Sequence, residues 1–422
     1  MAIWLDVTTS LGWVRPVTGV VRVEVECARD FLANESDQVK FCRFDAQLGA
    51  FLAVDPLLVS DNLHRLAELR GRVERPLRGF AKAVLAQLPD SLQSLLLAPK
   101  ARSPHRRQSA AGLNCLASRD VYISLGCDWD DKDMEVLDRL RRDLGIKVVL
   151  CCHDIIPVVR PDLTLGRITA RFGRHLRQMV AVADHIVCVS SHTQKDLIEF
   201  LSSQGSPVKP VLSQIRHGSD FPEIASPMAA GPEVAALLGQ RFVLYVSTLE
   251  KRKNHGMLID AYEDLMLRGV PDLPILVLVG MAGWGTEHTR KRIERLTQSG
   301  APVRWLSHVA DTDLHLLYRH CLMTVYPSLY EGWGLPVAES LAYGKFCLAS
   351  SAASIPEVGE DLVDYLSPDD GGAWSRMIEH YVFAPDLIAQ REKEIQKRYR
   401  PSTWSQTART ILGAARQLES AN

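Results

Sequence analysis

The chain has 422 residues, 46% of them apolar and 23% charged, with a formal net charge of −1. This length suits about two or three domains with packed cores and excludes disordered, collagenous and small disulfide-scaffold classes. The balanced charge speaks against a nucleic-acid coat, so no nucleic-acid partner is expected. Nine cysteines, two adjacent (Cys151, Cys152) and none in a C-x-x-C pair, read as buried thiols of a reducing, cytoplasmic compartment. No apolar run reaches the roughly 18 residues of a membrane span.

In chain order, the opening stretch 1–7 lacks a basic n-region and carries Asp6, so it reads as a first core strand and not as a secretory leader. Short apolar runs at 121–125, 147–150, 185–189, 242–246, 275–279 and 323–326 alternate with longer helical patterns. Near-continuous apolar, β-branched runs mark parallel strands covered on both faces, and strand–helix alternation predicts an α/β fold. A proline-bearing stretch at 222–240 separates two doubly wound domains of similar size, whose ligands belong at the carboxyl ends of the strands, in a shared cleft.

One segment stands apart. Residues 62–109 carry ten basic side chains against Glu68, Glu74 and Asp90, a net +7, beside Phe80 and a run of leucines. A basic, leucine-rich insertion (about 62–112) suits either a peripheral contact with anionic membrane or a solvated helical pair.

The sharpest motif is Glu331-Gly332-Trp333-Gly334-Leu335-Pro336-Val337-Ala338-Glu339, which follows a predicted buried strand. Its glycines permit close approach of a ligand to the backbone. Pro336 suits the first turn of a helix, whose free amides favour an anionic or polyhydroxyl ligand. The two glutamates, E-x7-E, can each accept hydrogen bonds from vicinal hydroxyls. A second motif, Ser247-Thr248-Leu249-Glu250-Lys251-Arg252-Lys253-Asn254, sets three cations at a strand-to-helix turn, which suits a phosphate.

Together these blocks resemble the retaining nucleotide-sugar glycosyltransferases of family 4, bacterial surface-polysaccharide type, with the GT-B fold: two Rossmann-like domains facing across a cleft. The resemblance covers nearly the whole chain and is strongest at 242–360. It implies an acceptor-side domain over 1–222, a nucleotide-sugar domain over 236–400, and a terminal helix at 401–422 free to cross back. Arg252 and Lys253 then hold the donor diphosphate beside Ser247. Ser307-His308-Val309 resembles the loop that reads the nucleobase, Glu331 the residue facing the hexose with Gly332, Trp333, Gly334 and Leu335 beside it, and Glu339 the residue gripping the ribose. In the less similar amino-terminal half, Gly19 resembles the glycine-loop position near the phosphates, and His153 in His153-Asp154 the histidine facing donor sugar and phosphate. Ser190-Ser191 reads mainly as a helix cap.

Asp128-Trp129-Asp130 matches the D-x-D spacing of metal-dependent transferases, as does Asp311-Thr312-Asp313. Asp311 reads better as a helix cap, and Asp128 and Asp130 as acceptor-side residues. No metal or other cofactor is expected, since amides and the Arg–Lys pair can neutralise a diphosphate. No GxGxxG follows the first strand of either half. The resemblance implies retention by front-face attack. It implies transfer of a hexose, mannose favoured from GDP-mannose, to a glycan or lipid-linked glycan in lipopolysaccharide or capsule assembly, at the cytoplasmic membrane face. A catalytically silent binding protein of the same fold and a GT-B sugar-nucleotide epimerase stay open.

Overall fold

The computed structural model describes residues 1–420 apart from Thr18, 71–113, 206–209, 221–229 and Trp284. The basic stretch at 62–109 therefore lies mostly outside the described residues. Its first part closes the helix Pro56–Arg70.

The amino-terminal sheet has seven strands: β1 (Ile3–Asp6), β2 (Val39–Asp45), β3 (Ala50–Val54), β4 (Val121–Ser124), β5 (Lys147–Cys152), β6 (His185–Cys188) and β7 (Val211–Gln214). Their order is β3-β2-β1-β4-β5-β6-β7, parallel except for the β2–β3 pair. The second sheet has six: β8 (Phe242–Val246), β9 (Ile275–Val279), β10 (Val303–Leu306), β11 (Met323–Tyr326), β12 (Cys347–Ser350) and β13 (Asp364–Leu366). Their order, β10-β9-β8-β11-β12-β13, is that of a doubly wound dinucleotide-binding sheet. The chain reverses direction across the sheet between β1 and β4, and again between β8 and β11, and such switch points open a crevice at the carboxyl ends of the strands. Central strands are apolar on both faces because helices cover both: every residue of β4, β6 and β11 is buried.

The carboxy-terminal helix Trp404–Ser420 returns to the first domain and packs on the helix Gly19–Asn34. Its buried Trp404, Ala408, Ile411, Leu412 and Ala415 follow the helical period of one apolar stripe. Its start is tied to the strap after β7. Ser219 N donates to Ser402 O (2.9 Å), Trp404 N to Asp220 Oδ1 (2.8 Å) and Thr407 Oγ1 to Arg216 O (2.7 Å). Gly218 makes this approach possible: a Cβ there would lie 2.4 Å from Trp404 N and 2.5 Å from its Cγ.

The domains also meet across the cleft. Glu357 accepts from the backbone N–H groups of Ser191 (2.8 Å) and His192 (2.7 Å), which open the helix Ser191–Ser203. Tyr330 donates to Asp196 (2.8 Å), and Gly332 touches the His153 carbonyl so closely that a Cβ would sit 2.0 Å from it.

Gly218→Ala is therefore expected to destabilise the protein by about 1–3 kcal/mol through overpacking. Gly413→Ala, on the terminal helix Trp404–Ser420 with nothing within 4 Å of the added carbon, is expected to be neutral or to stabilise by up to about 1 kcal/mol. Denaturant midpoints at unchanged slope measure both; equal midpoints for the two variants would contradict the packing described.

Candidate active site

A cleft of about 620 Å³ lies between the domains, at the carboxyl ends of both sheets. That size suits a nucleotide-scale ligand. Its second-domain wall is built from two segments stitched together by backbone. The turn Lys251–Lys253 follows β8, and Asn254, in the left-handed conformation (φ 59°), leads from it into the helix His255–Leu267. Asn254 Nδ2 donates to Pro327 O (3.2 Å) and Pro368 O (2.8 Å), while Leu329 N donates to Arg252 O (2.9 Å). The cationic turn after β8 and the glutamate loop after β11 thus form one rigid body.

Glu331 sits at its centre and is buried. Oε2 accepts from Arg252 Nη1 (2.5 Å). Oε1 accepts from Lys253 Nζ (2.6 Å), Ser328 Oγ (2.5 Å) and Tyr326 OH (3.0 Å). Burial alone would raise the carboxyl's pKa, but Arg252, then Lys253, then the Ser328 bond outweigh it and hold it at about 2. Lys253 is shifted down, by burial first and by Arg252 next, with Glu331 opposing. Nearby Asp154 is shifted up by burial, against the pull of Arg252. Ser354 Oγ lies 2.8 Å from the carbonyls of both Glu331 and Trp333 and pins the loop. Gly334, at φ 137°, makes a turn closed to other residues before the helix Leu335–Ala342.

Glu339, four residues into that helix, is also buried and points into the cleft. Its Oε2 accepts from Tyr318 OH (3.0 Å), and its Oε1 from Arg22 Nη1 (2.8 Å). Arg22 comes from the first domain's helix Gly19–Asn34, so this ion pair spans the cleft. Arg22 lies 5.3 Å over the Trp404 ring; burial works against its charge, and Glu339 and Glu26 outweigh it and raise its pKa.

Of the residues singled out by sequence, Gly19, His153, Ser247, Arg252, Lys253, Val309, Glu331, Gly332, Trp333, Gly334, Leu335 and Glu339 all line this cleft. Gly19 opens its helix at φ 53°. His153 is more constrained than a ligand-facing histidine would be. Its Nε2 lies 2.9 Å from the Leu125 carbonyl, which can only accept, so the proton sits on Nε2 and is spent there. Nδ1 faces Cys151 Sγ at 3.9 Å, and burial lowers the ring's pKa to about 4.

Asp128 and Asp130, read from the sequence as acceptor-side residues, are not among the residues that line this cleft. Asp128 is buried among Ser124 Oγ (2.6 Å) and Lys132 Nζ (2.7 Å), and Lys132 also lies 3.2 Å from Asp6. The lysine ammonium fills the place between two carboxylates where a cation would otherwise sit. Asp130 makes a surface pair with Arg171 (3.1 Å). Nor is Asp311 a cap: Ala310 is the N-cap of the helix Asp311–His320, and Asp313 instead receives Gly231 N (3.0 Å). Sequence reading missed Arg22, His217, Asp154, Tyr318, Tyr326 and Ser328. Arg22 lies three residues past Gly19, and Asp154 beside His153. The others carry no local signal.

The buried carboxylate sets a pH dependence. Glu331 has a lower pKa folded than its ordinary 4.5, so its ionised form contributes stability in full above that value and loses it as pH falls towards about 2. Glu331→Gln is expected to make the acid limb of the stability–pH profile shallower over that window. An unchanged limb, measured by denaturation from pH 5 to 2, would count against the triad.

Comparison with known proteins agrees with this geometry. Residues 232–380 match the family described as glycosyl transferases group 1. The O-antigen chain mannosyltransferase B of Escherichia coli is 30% identical over 233 residues, 55% of this chain and 60% of that one. The serotype-specific mannosyltransferase WbdA of the same organism is 24% identical over 279 residues, 64% of this chain and 34% of its own length. The chain thus spans less than two thirds of these relatives. Anabaena HepE, solved in complex with UDP, covers 100% of both chains at 16% identity and a TM-score of 0.59. Sucrose-phosphate synthase of Thermosynechococcus elongatus does so at 17% and 0.60. Residues 232–380 thus match the glycosyl transferases group 1 family, and the whole chain shares the two-domain frame of these solved structures.

Proposed function

We propose that the protein is a retaining hexosyltransferase of surface-polysaccharide assembly, moving a hexose, mannose favoured, from a nucleotide diphosphate sugar such as GDP-mannose to a glycan or lipid-linked glycan. The observation that carries the reading is the buried cluster of Glu331, Arg252 and Lys253 at the strand ends, with Glu339 across the same cleft. Two cations, paired with Glu331 and with Glu250 at 3.6 Å from Arg252, stand where a diphosphate would lie.

Hydrogen-bonding capacity supports separate roles for the two glutamates. A carboxylate offers about four lone-pair sites. Glu339 uses one for Tyr318 and one for Arg22, which leaves room for a ribose's two hydroxyls. Glu331 already receives three donors on Oε1 and one on Oε2. It turns towards a sugar only as Arg252 and Lys253 shift to the phosphates. In the reaction the acceptor oxygen bonds to the anomeric carbon on the face from which the phosphate oxygen departs. That oxygen keeps the electron pair of the broken bond and takes the acceptor's proton. Arg252, Lys253 and the amides opening the helix Leu335–Ala342 stabilise the charge on the leaving diphosphate. His153, its proton held by Leu125, shapes the wall and donates nothing from Nε2.

The reading places the protein at the cytoplasmic membrane face, with the basic stretch 62–109 touching anionic lipid. Among the described residues no helix is long and apolar enough to cross a membrane.

Glu331→Ala is expected to cut transfer roughly 30- to 1,000-fold, about 2–4 kcal/mol in the barrier. Nucleoside diphosphate affinity should be kept or raised, because the two cations are released. Glu339→Gln is expected to weaken nucleotide binding instead. Radiolabelled transfer and calorimetric titration with GDP, UDP, dTDP and ADP separate the two. Near-wild-type turnover in Glu331→Ala would sink the assignment, and hydrolysis to free sugar without transfer would favour an epimerase-like chemistry.

Transfer is also expected to survive EDTA, since the cationic pair and amides carry the role a metal would otherwise play. Loss in chelator with recovery on adding Mg²⁺ or Mn²⁺ would overturn the metal-independent mechanism.

A further inference from the structure

The strap after β7 carries a histidine that the mechanism does not use. His217 is buried, lines the cleft, and neither of its ring nitrogens has a hydrogen-bond partner. The indole N–H of Trp333, also buried and lining the cleft, is likewise without a partner. The two rings are 6.0 Å apart. Buried polar groups are nearly always satisfied, and several left open on one cavity wall call for a ligand.

The surroundings hold His217 in place for such a role. Its ring stacks on Trp404 at 5.8 Å and 28°, and Gly218 beside it admits the Trp404 backbone. His153 lies 6.5 Å away with its Nε2 already committed to Leu125. The imidazole with open edges on this wall is therefore His217, and not the histidine that the sequence motif picks out. Burial, then the neighbouring His153 and Arg22, lower its pKa to about 3, so the ring is neutral at ordinary pH. A neutral imidazole offers one donor and one acceptor, and the indole offers one donor. Their complement is a hydroxyl, which gives and receives.

We propose that His217 and the Trp333 N–H form a hydroxyl subsite that selects the hexose, by reading one sugar hydroxyl that a deoxy sugar lacks. The proposal rests on the reading of the cleft as a nucleotide-sugar site. Its force comes from the unpartnered atoms themselves. A site built to hydrogen-bond a hydroxyl rejects the analogue without it strongly, because its own buried groups are then left open. The subsite thus separates hexose donors from deoxyhexose donors that share a nucleotide.

The test uses the full chain and equilibrium titration, without acceptor, of GDP, GDP-mannose and its 2-, 3-, 4- and 6-deoxy analogues, with UDP-glucose and ADP-glucose alongside. The wild-type protein is expected to lose at least about 100-fold in affinity for one deoxy analogue. His217→Phe, which keeps the stack on Trp404, is expected to reduce that discrimination to within about tenfold while GDP binds as before. His217→Gln, which restores a donor and an acceptor, is expected to recover part of it. Equal discrimination in wild type and His217→Phe, with GDP bound by both, overturns the subsite and leaves the transferase reading standing. Failure of the wild-type protein to bind any of these nucleotides overturns both.

Discussion

The ion pairing of Glu331 with Arg252 and Lys253 is the constraint around which the second domain's active face is built. Arg252 and Lys253 come from the turn after β8 and Glu331 from the loop after β11, and none tolerates burial alone. A buried carboxylate needs cations and hydrogen bonds in good geometry, or it takes up a proton. The structure supplies them by fastening the turn after β8 to the loop after β11 through Asn254, Ser328 and the Arg252 carbonyl. Such a cluster adds little net stability for the desolvation it requires. What it provides is position: two cations held ready at one end of the cleft.

The same logic of close approach sets the relation between the domains. Gly332 meets the His153 carbonyl on one side of the cleft, and Gly218 meets Trp404 on the other. Between these contacts Arg22 reaches from the first domain to Glu339 of the second. The terminal helix returns to the first domain, and its Trp404 packs against both Arg22 and His217. Closure of the cleft and the placing of its first-domain side chains are consequently one packing problem, settled by two missing Cβ atoms and one indole.

Much of this was legible in the sequence, and the part that was not has a physical cause. Central strands such as 242–246 and 275–279 announce themselves because burial on both faces demands unbroken apolar runs. The edge strand β7 does not, since an edge needs no such run: Val211–Gln214 has no fully buried residue. The two motifs of the second domain are legible because each is local, a turn or a helix start carrying its own chemistry. Pairings are another matter. Arg22 and Glu339 lie 317 residues apart, and nothing near either names the other. The D-x-D at Asp128 is the opposite case. Its spacing fits a metal site, yet Lys132 four residues on supplies the counter-charge from within the chain.

On the proposed reading of the cleft as a nucleotide-sugar site, the charges along it imply an order of events. At one end Glu331 is nearly saturated with donors, and at the other Glu339 is half free. A nucleotide diphosphate therefore meets least competition at Glu339, where ribose hydroxyls can add to the existing Arg22 and Tyr318 bonds. Its diphosphate, arriving next at Arg252 and Lys253, competes with Glu331 for the same protons. As the cations shift towards the phosphates, lone pairs of Glu331 are released in the direction of the sugar. Glu331, its pKa held at about 2, is ionised at ordinary pH, so it enters this exchange as an acceptor and not as an acid. The sugar's hydroxyls are then held by a carboxylate that became available only because a diphosphate was bound. On this account the triad makes sugar recognition conditional on the leaving group that the transfer requires.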